Sequence, residues 1–252
     1  MLEMQVLGSG PAVLMLHGSP QTSQSMMPLA MRLAKSHEVF LPDMPGYGAS
    51  TPLDTPYSHT EVNERVVETL HSHDIQSCDI VCMSLGAYRA FGIALDGAIS
   101  VGRIVALSPF AGLDDSEREG FGQLAAMLRN SESLEGAFGA MFVSRWFSGS
   151  TAPTDEIVSE ALSWLHAAPP SVLADEMAAI SKGEDLRQRL GGISVPVLLR
   201  VGESDLATSP AHVESIANAL PHSTVQVVPG KGHLLILEDF DATVNATLEF
   251  LL

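Results

Sequence analysis

The chain has 252 residues, 46% hydrophobic and 17% charged, with 30 Asp and Glu against 13 Lys and Arg for a formal net charge of -17. A hydrophobic share of that size excludes a disordered chain and is enough for one large domain, or a core carrying an insert. The acidic field repels nucleic acid and anionic membrane surfaces, so neither is an expected partner.

In chain order, LEMQVLGSG opens the sequence without a strand assignment, and six short apolar, β-branched runs follow: 12–16, 37–43, 78–83, 102–108, 196–202 and 224–230. Helical-period segments alternate with them, the pattern of a parallel α/β sheet. Their nearly continuous hydrophobicity predicts burial on both faces. Val62, Val66 and Leu70 mark one helix face, Ser209-Pro210 caps another that shows Val213, Ile216, Ala217 and Leu220, and Val244, Leu248 and Leu251 mark the last.

The interval 111–190 breaks the alternation. It shows helical stretches at 117–129, 134–147, 155–166 and 172–189 and no strand. An insert of this kind predicts a helical cap over the strands' C-terminal ends, with 1–110 and 191–252 forming the core.

Cys78 and Cys82 are the two cysteines. Four strand residues span roughly 13 Å, beyond the ~7 Å reach of a disulfide, so both are expected as free thiols. With no leader-like segment and no apolar run long enough for a bilayer, the expectation is a cytoplasmic protein, monomeric or homodimeric. No clustered Cys/His spacing and no dinucleotide fingerprint is present, so no metal or organic cofactor is expected.

Four loops each follow an expected strand: LHGSP (16–20), CMSLG (82–86), VGESD (201–205) and GKGH (230–233). Ser84, Asp205 and His233 thus fall in the order nucleophile, acid, base. With DMPGYGAS (43–50) and GHLLILED (232–239), these motifs make the chain resemble the α/β-hydrolase superfamily along its whole length. The family's elbow reads G-x-S-x-G, and Cys82 stands where its first glycine would be. A small, soft thiol suits that packing position, so Cys82→Gly is expected to keep activity. The family's usual first strand is expected to be absent.

The resemblance implies a mechanism. His233 takes the Ser84 proton, Asp205 fixes the imidazole tautomer, and the backbone N–H groups of Ser19 and Leu85 receive the oxyanion. Glu203, Asp114 and Asp115 are rivals to Asp205. His17 reads as a structural residue under the oxyanion loop, whereas His71, His73, His212 and His222 read as surface histidines. Asp43, Gly46 and Gly48 read as turn structure.

A serine at the elbow argues for acyl chemistry over the dehalogenase and epoxide hydrolase branches, and Leu234 after the histidine argues against hydroxynitrile lyases. Arg145-Trp146-Phe147, a proline-containing stretch and the segments 185–210 and 230–239 are similar to 3-oxoadipate enol-lactonases and small carboxylesterases. That likeness implies a small ester or lactone substrate, with Arg145 and Trp146 at the pocket; for an anionic lactone Arg145 would supply the cation. Met26, Met27, Met31, Met83 and Met141 are candidates for an apolar lining. The alternatives are a carbon-carbon bond hydrolase of the same fold, or a receptor that keeps the triad without turnover.

Overall fold

The structure, a computed structural model, describes residues 1–147 and 155–252. Its centre is a seven-stranded sheet in the order β1-β3-β2-β4-β5-β6-β7, with β1 (Met4–Gly8), β2 (Ala12–Leu16), β3 (Glu38–Pro42), β4 (Ser77–Met83), β5 (Ser100–Leu107), β6 (Val197–Gly202) and β7 (Ser223–Val228). All six expected runs are strands. β1 is the addition: it lies antiparallel to β3, Met4 facing Pro42, and every other pairing is parallel.

β1 escapes sequence reading for a physical reason. As an edge strand it is paired on one side only and half-buried along its length, so it lacks the apolar run of a central strand. The opposite edge corrects a second expectation. β7 is not buried on both faces, and its Val225 and Val227 are 40% and 48% exposed. The central strands β2, β3, β4 and β6 supply the continuously buried core, Val13 to Leu16, Ile80 to Met83 and Val197 to Val201 among them.

Helices on both sides begin where local chemistry permits. Ser58 and Glu61 form a reciprocal capping box at the start of α2 (His59–Ser72), satisfying two otherwise orphaned N–H groups. Ser209 accepts from His212 N–H before α8 (Pro210–Ala219), where proline at the first turn loses no hydrogen bond. α1 (Ser23–Leu33), α3 (Leu85–Asp96), the short α9 (Leu235–Glu238) and α10 (Phe240–Leu251) complete the layers.

Between β5 and β6 lie α4 (Asp115–Arg129), α5 (Ala137–Trp146), α6 (Asp155–Ala167) and α7 (Pro170–Lys182), with α4 packed along α7. Two expected ends move. α7 stops at Lys182, because the Gly183 backbone turns extended and Asp185 caps a separate short turn, Leu186–Gln188. α5 starts after Gly136, whose φ of 60° breaks the preceding stretch. The proline-containing stretch after Phe147 lies outside the described residues. Among the described residues no helix is long and apolar enough to cross a membrane, and no cluster of three or more His, Cys, Asp or Glu is arranged to hold a metal ion.

Candidate active site

β4 ends at Met83 and α3 starts at Leu85, leaving Ser84 alone in the turn with φ 51° and ψ -119°. A non-glycine residue there is strained by roughly 1–2 kcal/mol, and such strain persists only where the surroundings enforce it. Here they do: Ser84 N–H donates to Leu107 O at 2.9 Å, and its carbonyl accepts from Ala87 N–H (2.9 Å) and Phe110 N–H (3.3 Å). Its hydroxyl makes no helix-capping bond. The side chain is therefore held at a sharp bend with its oxygen uncommitted to the helix.

His233 and Asp205, 28 residues apart, meet with Nδ1 2.8 Å from Asp205 Oδ2. Both are buried, at 3% and 2% exposure. Asp205 Oδ1 accepts from the N–H groups of Ala207 (2.8 Å) and Thr208 (2.9 Å), and Thr208 Oγ1 donates to Oδ2. Burial alone would raise the Asp205 pKa, but the charge and hydrogen bond of His233 and those two N–H donors hold it below the usual carboxylate range. Of its rivals, Asp115 is exposed in the first turn of α4 and the other two are occupied elsewhere. Asp114 caps α4, and Glu203 accepts from Gly230 N–H in an exposed turn.

Serine and histidine are tethered to one loop. Phe110 N–H holds the Ser84 carbonyl, while the Ser108 hydroxyl donates to the His233 carbonyl at 2.9 Å. Ser108 itself has φ 47°, and its carbonyl lies 3.0 Å from Thr208 Oγ1, whose single hydrogen it shares with Asp205 Oδ2. Neither Ser108 nor Thr208 stands out in the sequence; the one available signal is their place directly after β5 and the Asp205 turn. The histidine loop is bracketed further by Glu238, which accepts from Gly232 and Leu234 N–H.

The HGSP loop lies against the serine. A methyl group on Gly18 would stand 3.2 Å from Ser84 Cβ and 3.3 Å from Met83 Cε. The Gly18 carbonyl accepts from Gln21 N–H (3.1 Å) and from His17 Nδ1 (2.8 Å). In a trans peptide the carbonyl and the following N–H point oppositely, so fixing the Gly18 oxygen also fixes the Ser19 N–H. Met44 N–H donates to His17 Nε2 at 3.0 Å, which leaves the His17 ring with both nitrogens engaged and no basic lone pair to offer.

The remaining candidates scatter. Met83 is buried beside Gly18, Met26 is buried in the core face of α1, Met27 and Met141 are half-buried, and Met31 is 60% exposed. Trp146 is buried against Phe142, and its carbonyl accepts from His233 N–H at 2.8 Å; the adjacent Arg145 is exposed. His212 departs from expectation. Its ring stacks on Phe110 with centroids 5.8 Å apart, because the first turn of α8 folds over the loop after β5. His71, His73 and His222 are exposed.

Two buried histidines set an acid limit on folding. Burial pushes the pKa of His17 and of His59, which packs edge-on to Tyr88, down to about 4. A depressed histidine contributes stability that is complete above the unfolded pKa near 6.5 and is lost as pH falls toward 4, about 3 kcal/mol for each. The urea midpoint should therefore fall steadily from pH 6.5 to pH 4. In His59→Phe that slope should become shallower, with His17 and the partly buried His212, whose pKa burial also lowers, supplying what remains; an unchanged slope would refute this account.

The family model described as alpha/beta hydrolase family matches residues 13–246. The chain belongs to that family. This alpha/beta hydrolase is 26% identical over 265 residues to the pimeloyl-[acyl-carrier protein] methyl ester esterase of Xanthomonas oryzae pv. oryzae, covering 99% of this chain and 98% of the relative. Its fold matches a thermophilic esterase from Thermogutta terrifontis at a TM-score of 0.91 with 23% identity, over 99% of this chain and 92% of that one. It matches the enol-lactonase from Burkholderia xenovorans at 0.88 with 21% identity, over 99% and 96%.

Proposed function

We propose that this alpha/beta hydrolase cleaves carboxylic esters or lactones through an acyl-enzyme on Ser84, with His233 as base, Asp205 as its orienting acid and the Ser19 and Leu85 N–H groups as oxyanion donors. One observation carries the reading: a strained serine and a carboxylate-bound histidine are fixed to the same loop, through Phe110 N–H and the Ser108 hydroxyl. Attack by Ser84 Oγ on the acyl carbon passes its proton to His233 Nε2, which returns it to the leaving oxygen; water then repeats the sequence in reverse. The Asp205 bond at Nδ1 stabilises the imidazolium in between. The ester-hydrolase names among the relatives support the same class.

The segment 111–190 acts in this reading as a cap, since Trp146 and His233 are joined through their backbones. A fluorophosphonate should phosphonylate Ser84 in the folded protein, fluoride leaving as the Ser84 oxygen bonds to phosphorus, so that Ser84 gains the reagent's mass less HF; an unlabelled Ser84 would refute the catalytic assignment. Labelling without turnover of any ester would indicate a receptor.

The substrate's acyl side is resolved by nitrophenyl esters of rising chain length run beside neutral and carboxylated lactones. Arg145 stands exposed one residue before the Trp146 carbonyl that meets the histidine loop, which favours an acidic substrate group at the site's mouth. Arg145→Ala should raise KM for carboxylated lactones about threefold to fivefold, the size of an exposed ion pair, and leave neutral esters unchanged. Equal effects on both would remove Arg145 from recognition.

A further inference from the structure

The insert sends one fully buried charge into the core. Glu176 of α7 is 1% exposed and meets three partners far away in sequence. Its Oε1 accepts from Arg89 Nη2 on α3; its Oε2 accepts from the Ser19 hydroxyl and from the Tyr47 hydroxyl, the latter at 2.6 Å. Arg89 is itself 1% exposed.

A buried carboxylate costs several kcal/mol to desolvate, and a salt bridge alone often only offsets that cost. Here the two oxygens divide their tasks. Oε1 takes the charge partner. Oε2 is given to two hydroxyls, one on the HGSP loop and one on the DMPGYGAS turn. Hydrogen bonds to an ionised acceptor are roughly twice as strong as neutral ones, so Oε2 is a firm anchor for both loops. Tyr47 and His17 also pack edge to face, with centroids 5.8 Å apart, which joins this anchor to the ring that holds the Gly18 carbonyl. The Gly18–Ser19 peptide is thereby gripped at both ends: its carbonyl by His17 and Gln21, its serine side chain by Glu176.

We propose that Glu176 is a positioning residue for the oxyanion site, through which the helical insert holds Ser19 so that its N–H faces the developing charge. This rests on the reading of Ser84 as nucleophile and of Ser19 N–H as an oxyanion donor. A donor displaced by a fraction of an ångström stabilises the transition state less while substrate binding is little changed. The role is therefore visible in kcat and not in KM.

The test is a double-mutant cycle of Ser19→Ala and Glu176→Gln, read on a nitrophenyl ester and on inhibition by a boronic acid that mimics the tetrahedral intermediate. Each single variant should lower kcat about tenfold, weaken the boronic acid by a similar factor and leave KM within about twofold. The pair together should do no more than the larger single, because both break one link. Effects that multiply, or a kcat in Ser19→Ala within about twofold of the parent, would overturn the proposal. Should Glu176→Gln fail to fold, Tyr47→Phe takes its place in the same cycle, with the same expected non-additivity. Fluorophosphonate labelling separates the two layers: no label on Ser84 defeats the underlying reading, whereas a labelled Ser84 with multiplying effects defeats only the role of Glu176.

Discussion

Asp205→Asn should lower kcat about 10⁴-fold while the protein stays folded, the loss expected when a triad's imidazole is held in the wrong tautomer. The hydrogen bonds dictate the direction. Asp205 Oδ1 accepts from two backbone N–H groups, Ala207 and Thr208, which accept nothing in return. In the variant the amide oxygen must therefore stay at that position, and the NH₂ takes the place of Oδ2. Two donors would then face each other across the 2.8 Å contact with His233 Nδ1 unless the imidazole moves its proton to Nε2. With a proton on Nε2 the ring cannot accept one from Ser84.

KM should change little, because neither tautomer alters the room for substrate. A thermal melt should show a modest loss, since the two backbone bonds survive. A kcat within about tenfold of the parent would make Asp205 a loop anchor and reopen the search for the acid. The parent's acid limb of activity should not reflect Asp205 itself. Its depressed pKa keeps it charged below the ordinary carboxylate range, and the stability it contributes, complete above that range, is lost as pH falls through the lowered value.

Sequence reading reached the parts of this molecule that are local. β2 and β4 are apolar runs bounded by turns, so periodicity marks them, and Ser84, Asp205 and His233 follow the ends of β4, β6 and β7 as their order in the chain predicts. What it missed depends on neighbours distant in the chain. β1 is a strand because β3 lies beside it, and β7 is half exposed because it is an edge strand, paired to β6 on one side. Glu176 sits among thirteen acidic residues between 111 and 190, and its letter looks no different from the solvated ones. Its partners come from a loop, a turn and a helix separated by 157, 129 and 87 residues. Ser108 and Thr208 are similar cases: each is an ordinary polar residue until the histidine loop is folded against it.

The elbow's two small positions give the second large expected effect, and they should separate cleanly. Cys82 lies fully buried in β4 opposite Leu16 on one side and Ala106 on the other, its thiol donating weakly to Val105 O at 3.5 Å. Burial raises its pKa, so it stays a neutral thiol. Ala106 is small, which leaves room for one sulfur beyond what a glycine needs. Cys82→Gly should cost about 1–2 kcal/mol of stability, from the lost packing and the freer backbone, and keep kcat within about twofold. Gly86 has no such room. A methyl group there would lie inside contact distance of the Leu16 carbonyl oxygen and 2.8 Å from the His17 oxygen, both backbone atoms at the base of the HGSP loop. Neither can swing aside as a side chain could. Gly86→Ala must push α3 away from β2 or push the loop away from Ser84, and both movements separate the serine from the Ser19 N–H. A shift near 1 Å at reacting atoms costs about 10²-fold in rate, and overpacking of this kind costs about 1–3 kcal/mol. Gly86→Ala should therefore lose about 100-fold or more in kcat/KM and melt several degrees lower, while Cys82→Gly melts lower with its rate intact. If Gly86→Ala instead kept the parent's rate, close approach of helix and loop would not be what the second glycine of this elbow provides.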